Sequence, residues 1–417
     1  MGHPALPPAR RRQAPLRRRR FSLLRAAYAS AFLRFCQDQA RGGTISAMKK
    51  RFVLLAFLVL LLLLAGFFAF VRDAVSSSAK RGGALGAVSA AGAQKERGDC
   101  TLKPKPREFN AAPYYEGPLI DAHLHMPVSS GIVAAVGRRM GLEHMPAFGG
   151  GLTPDYLACL LKSEGIMRVF GFFHATRYNL GAEVRAARNF EKKYPGLIAS
   201  FFMPGTNDAL RVSTSTVQTT LDKNRGLFKG MGEIKMFDNG SMLRPVFLSH
   251  FDLARTYGIP VMLHPYEKHK TEVPELLKRY AEVKFLFHGG RDADWMVGHL
   301  GQFPNAYYSI DADMVGLYGS GGPREGRQKD PTKEEFIAYF RGHFNEVLRT
   351  ALVEWKPRIE AHPHRFMWGT DRWYDWHFDV EVGGLLEEFG RAFIGHLAPE
   401  VQERFAYKNA EMFLSGR

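Results

Sequence analysis

Two histidines separated by one residue, His123 and His125, lie in the short apolar run LIDAHLH at 119–125. Side chains alternate along an extended strand, so both imidazoles project to the same side. Such a pair can form two arms of a metal site; the bland alternative is two satisfied polar residues at a barrel rim. Later apolar runs end in further donors: His264 in IPVMLHP, His288 in VKFLFHGG and Asp371 in RFMWGTD. Imidazole nitrogens with a carboxylate suit a borderline divalent ion, above all Zn2+. A water on such an ion loses its proton near neutral pH and becomes a nucleophile, with Asp371 able to hold it and take the proton.

Elements of one kind must carry these residues. After Ala112 the chain alternates short β-rich runs with longer helical stretches such as PDYLACLLKSEG (154–165) and TEVPELLKRYAE (271–282). The expected strands are 119–125, 168–175, 197–204, 230–237, 259–265, 283–290, 305–313 and 365–371. Eight strands alternating with helices point to an α/β protein with a parallel sheet, a (β/α)8 TIM barrel over 113–413. That fold builds its site at the C-terminal strand ends, where the donors fall. An open doubly wound sheet lacks support, since no Gly-rich phosphate fingerprint follows the first strand. A Gly-rich charged insertion at 317–336 is expected as a lid over the site or a solvated excursion.

The ordered set Asp121-Ala-His-Leu-His125, His264, His288 and Gly369-Thr-Asp371, with the tail Tyr407-Lys-Asn-Ala-Glu411, resembles the amidohydrolase superfamily, amidohydrolase-2 type. The resemblance spans roughly 113–413. It implies that His123, His125, His264 and Asp371 are core metal ligands and that Asp371 is the base. It implies that His288 binds a second metal or polarises the substrate. Some relatives carry a bridging carboxylated lysine or a glutamate on the fourth strand, and this chain offers both Glu233 and Lys235, two apart and so on one face. Glu233 is expected as a metal ligand, or Lys235 as a bridging lysine or substrate-binding cation; the rival reading is a buried ion pair between them. One ion or two depends on that choice.

Arginines follow several strand ends: Arg177, Arg291 and Arg372. A guanidinium fork grips carboxylate or phosphate, so Arg177 and Arg291 are the expected substrate-binding residues, against the commoner role of a loop brace. Asp311 and Asp313 are expected either to accept the second N–H of ligand imidazoles or to cap the following turn. Trp373, Tyr374 and Trp376 could wall a pocket or simply pack. The remaining histidines, His250 and His377 among them, fit no strand-end slot and are expected as surface or core residues.

The net charge of +16 is mostly local. Residues 1–51 hold thirteen Lys/Arg and one acid, Asp38, a net +12, which leaves +4 for the rest. A folded domain that near to neutral gives no footing for nucleic acid. Residues 52–71 are twenty uncharged apolar residues, long enough to cross about 30 Å of hydrocarbon as a transmembrane helix. Lys49, Lys50 and Arg51 precede them, so the C-terminal bulk is expected outside, periplasmic or extracellular. A permanent anchor over 48–72 competes with a signal segment cleaved near Val75-Ser-Ser-Ser-Ala79, which would release a secreted domain. Residues 1–47 read as a basic disordered tail or a start-site extension, and 73–112 as a flexible linker. With three cysteines and no CxxC, no disulfide framework is expected, and Cys159 reads as core packing.

Three functions follow. The first is a metal-dependent hydrolase acting on a C–N or C–O bond (amide, lactone or ester) of a small, anionic or neutral substrate. The second is a metal-dependent decarboxylase of an aromatic or unsaturated acid, and the third an inactive membrane-tethered binding module. The chain alone names neither the substrate nor the oligomeric state.

Overall fold

In the structure, a computed structural model, the described residues are 100–109, 111–127, 152–206, 210–235, 240–288, 293–311 and 332–415. The basic tail, the apolar segment 52–71, Arg291, Asp313 and most of the insertion at 317–336 lie outside them. Among the described residues no helix is long and apolar enough to cross a membrane.

Eight strands run parallel in chain order: β1 (Leu119–His125), β2 (Ile166–Ala175), β3 (Ile198–Pro204), β4 (Phe228–Lys235), β5 (Val261–His264), β6 (Phe285–Phe287), β7 (Ala306–Ile310) and β8 (Phe366–Trp368). β8 returns to β1 through a parallel bridge between Leu124 and Arg372, and the N–H of Asp371 and of His125 donate to His123 O (2.8 Å) and Arg372 O (2.9 Å). The ring is thus closed at its C-terminal end, as expected of a TIM barrel.

Helices α1 (Pro154–Ser163), α2 (Leu180–Lys193), α3 (Thr214–Lys223), α4 (Pro245–Tyr257), α5 (Glu272–Arg279), α6 (Ala293–Leu300), α7 (Lys333–Ala361) and α8 (Val380–Gly395) follow the strands or, for α1, precede β2. Local chemistry sets their ends. Thr153 caps α1 through Tyr156 N–H, with Pro154 at the first helical position, and Thr332 with Glu335 forms a capping box on α7. Two apolar layers result. One, between strands and helices, includes Leu124, Phe173, Leu263 and Phe389; the other fills the barrel with Phe170, Phe172, Phe201, Met262, Leu286 and Met367. Each such phenylalanine contributes roughly 1.5–3 kcal/mol by its burial. The terminal helix α9 (Asn409–Leu414) stoppers this inner layer: Phe413 lies 6.0 Å from Phe170 and 5.1 Å from Tyr307, ring to ring. Asn409 holds it there by donating to Phe366 O (2.7 Å) and Pro363 O (2.9 Å).

Residues 100–109, at the end of the stretch expected as a tether, are packed on the barrel. Phe109 stacks on Phe344 at 4.0 Å, and Glu388 accepts from the N–H of Glu108 (2.9 Å) and Phe109 (2.8 Å). Glu108 in turn takes a two-pronged grip from Arg341 (2.7 and 2.8 Å), which holds its carboxyl near 2, below the usual range. The expectation about cysteines is overturned here: Cys100 and Cys159 form a disulfide across 59 residues, with Cα atoms 5.1 Å apart. The fold, not a local spacing motif, brings them together, which is why their pairing is invisible along the chain.

Candidate metal centre

Two strands change phase just where the donors sit. On β1, Ile120 and Ala122 belong to the inner layer and Leu119 and Leu124 to the outer one. Pairing with β2 slips between Asp121 and Leu124, and the slip turns His123 and His125 inward. On β4 the pairing with β5 slips between Met231 and Ile234, both outer-layer residues, and turns Glu233 and Lys235 inward. Gly232 sits in that slip with φ +115°, and a Cβ there would lie 2.3 Å from Met262 O, so only glycine fits. Asp121 pins the first slip to β8. Its carboxylate accepts from His123 N–H (3.0 Å) and Thr370 N–H (2.9 Å), and from the Thr370 hydroxyl. Burial raises its pKa to about 6.

His123, His125, Glu233 and Asp371 converge. Asp371 Oδ1 is 3.3 Å from His123 Nε2 and 3.2 Å from His125 Nε2; Glu233 Oε2 is 3.7 and 3.5 Å from the same two nitrogens. Ligands about 2.0–2.1 Å from a tetrahedral zinc lie roughly 3.3–3.4 Å from one another. His123 Nε2 and Asp371 Oδ1 are buried and make no hydrogen bond among the described residues. Asp371 itself has φ 48°, a left-handed backbone that a non-glycine residue rarely adopts.

The other oxygen of Glu233 serves a second group. Glu233 Oε1 is 2.7 Å from His264 Nδ1 and 3.5 Å from His288 Nε2. The expected set of His123, His125, His264 and Asp371 therefore does not fall on one point: His264 groups with His288 and Glu233. Lys235 lies beside the cluster, its Nζ 2.8 Å from Glu233 Oε2.

Asp311, at the end of β7, was expected either to accept from imidazoles or to cap a turn. It does the former twice: Oδ2 faces His123 Nδ1 at 3.3 Å and bonds His288 Nδ1. This fixes both rings with Nε2 turned to the cluster.

Charge in the pocket is unbalanced. Among the described residues Glu233, Asp311 and Asp371 are buried carboxylates of the cluster and Lys235 is the permanent cation beside them, which leaves an excess of two negative charges in that set. Protons respond to that excess. Burial opposes charge on His123, but the carboxylates of Asp371, Asp311 and Glu233 outweigh it and raise its pKa to about 10. Burial likewise opposes ionisation of Asp371, yet His123, His125 and His288 hold its carboxyl far below the usual range. A divalent cation would replace those protons and saturate the two orphaned atoms, so the donor set fits a metal ion.

The arginines separate. Arg372 is fully buried and directs its fork at Glu164, with bonds of 3.0 and 2.8 Å. Arg177 is exposed and lies over the Tyr178 ring at 5.1 Å. Trp373, Tyr374 and Trp376 pack on one another, and His377 braces their turn by accepting from Trp373 N–H at 3.1 Å.

Comparison with protein-family models and with curated protein sequences gave no match. Solved structures similar to this chain are amidohydrolase-type TIM-barrel proteins. One is a protein from Pseudomonas putida assigned as a 2-pyrone-4,6-dicarboxylic acid hydrolase, 17% identical, covering 71% of this chain and 97% of its own, with a TM-score of 0.45. Another is an amidohydrolase from Burkholderia multivorans with bound zinc, 14% identical, covering 72% and 100%, with a TM-score of 0.46. A third is the 4-oxalomesaconate hydratase of Rhodopseudomonas palustris, 12% identical, covering 71% and 95%, with a TM-score of 0.40. Likeness at this level decides neither reaction nor substrate.

Proposed function

We propose that the chain is a metal-dependent hydrolase that cleaves a C–N or C–O bond (amide, lactone or ester) of a small molecule. The observation that supports it most is a pair of buried atoms without a hydrogen bond among the described residues, His123 Nε2 and Asp371 Oδ1, converging with His125 and Glu233. His123, His125, Glu233 and Asp371 would hold one ion, and Glu233, His264 and His288 a second, with zinc best suited to these donors. When bound, the metal supplies Lewis acidity and lowers the pKa of water toward 7. Asp371 takes the proton of the attacking water and delivers it to the leaving nitrogen or oxygen as the bond to carbon breaks. Asp311 holds His288 Nδ1 and so turns Nε2 to the cluster, where it would hold the second ion or, in a site with one ion, face the oxygen on which negative charge develops.

The barrel works outside a membrane, with residues 52–71 as anchor or signal segment. The Cys100–Cys159 disulfide supports that placement, since such bonds persist in oxidising compartments. The test is metal analysis of protein purified without chelator, followed by a panel of lactones, esters, amides and aromatic acids. Expected is hydrolysis abolished by chelation and restored by Zn2+ or Mn2+. Release of CO2 from the acids instead would replace the hydrolase with a lyase, and absence of both metal and turnover would leave a binding module.

A further inference from the structure

The ends of β2, β4 and β5 share a pattern. Phe172, Glu233 and Met262 are buried, and two residues on, on the same face, His174, Lys235 and His264 are only partly so. Lys235 pairs in register with His264, and Tyr266 follows with its ring 5.2 Å from the His264 ring. These four side chains form the rim of the cluster on that side. We propose that Lys235 and His174 form an anion subsite on this rim and that the substrate carries a carboxylate near the cleaved bond. This rests on the reading of the cluster as a hydrolytic metal centre.

Lys235 Nζ has three N–H donors and one neighbour within bonding distance among the described residues, Glu233 Oε2. As an ammonium the group is a donor only, with no acceptor of its own. If Glu233 shares its charge with metal, the ammonium is left unbalanced at the mouth. Three carboxylates, one ammonium and two divalent ions leave a positive excess, which a substrate carboxylate helps to offset. The His174 ring makes no hydrogen bond among the described residues, and burial, His125 and Lys235 keep it neutral with one N–H to give. Its backbone is preset: Asn179 Nδ2 donates to His174 O (3.0 Å), while Asn179 Oδ1 accepts from the Thr176 hydroxyl (2.8 Å). By contrast Arg372 is spent on Glu164, and Arg177 is exposed over Tyr178.

The probes are glutarate and its neutral analogue glutaramide, titrated calorimetrically into the full chain with and without Zn2+. Lys235→Met is expected to weaken glutarate binding about tenfold or more, the worth of a charge-assisted hydrogen bond, and to leave glutaramide unchanged. Lys235→Arg should retain most of the affinity, which separates lost charge from lost folding. Arg177→Ala should change nothing. Equal glutarate affinity in wild type and Lys235→Met, or no preference for glutarate over glutaramide, would overturn the subsite. Lys235-dependent glutarate binding in a protein with no metal-dependent turnover would retain the subsite and refute the hydrolase. Turnover with no Lys235 effect would do the reverse.

Discussion

His264 Nδ1 lies 2.7 Å from Glu233 Oε1, and this contact places Glu233 between two groups of donors, because its Oε2 faces His123 and His125. A carboxylate with one oxygen toward each group can join two ions. Wild-type protein is therefore expected to bind two equivalents of zinc, measured by inductively coupled plasma mass spectrometry. His264→Ala should retain one equivalent, and Glu233→Ala should bring both near zero with activity down by about three orders of magnitude. A single equivalent in wild type, unchanged in His264→Ala, would exclude the bridged arrangement.

Asp311 touches no substrate in this arrangement; it orients His123 and His288 through Nδ1. Asp311→Asn keeps the shape but removes the charge that fixes the tautomers. Zinc affinity or kcat/KM is expected to fall about 10–100-fold, the usual scale for such partners. Competition with a chelating dye reads the affinity directly. An unchanged value would mean that the two rings are held by packing alone.

Strand existence and order were legible because each strand is a short β-rich run between helical stretches. β1 spans the expected 119–125, whereas of the described residues in the run expected at 283–290 strand β6 takes Phe285–Phe287. His123, His125, His264, His288 and Asp371 were readable as strand-end residues. The choice between Glu233 and Lys235 was not, because alternation turns both inward; they differ in depth, Glu233 side chain 0% exposed and Lys235 21%. The grip of Asp311 on two histidines and the pairing of Cys100 with Cys159 join residues 23 to 188 positions apart, and only the closed barrel brings them together.

The disulfide ties the packed strap before β1 to α1. Cys100→Ser is expected to lower stability by about 2–4 kcal/mol, read as a lower unfolding midpoint in guanidinium, without changing metal content. Mass spectrometry under non-reducing conditions should recover the Cys100–Cys159 cross-linked peptide from protein made in an oxidising compartment. Free thiols at both positions in that protein would contradict the pairing and remove the support it lends to export.

Glu183, in the first turn of α2, is buried; Oε1 accepts from Asn179 Nδ2 at 3.1 Å and Oε2 makes no hydrogen bond among the described residues. Burial raises its pKa to about 8 from 4.5. Between those values the unfolded chain is ionised while the folded one holds the proton, so this group makes stability fall as pH rises from 4.5 toward 8. Glu183→Gln keeps the shape and removes the titration. The variant should match wild type near pH 4.5 and exceed it by on the order of 3 kcal/mol at pH 8, visible as a melting temperature higher by several degrees. A gain that is the same at both pH values would show that the carboxyl is not the group that titrates.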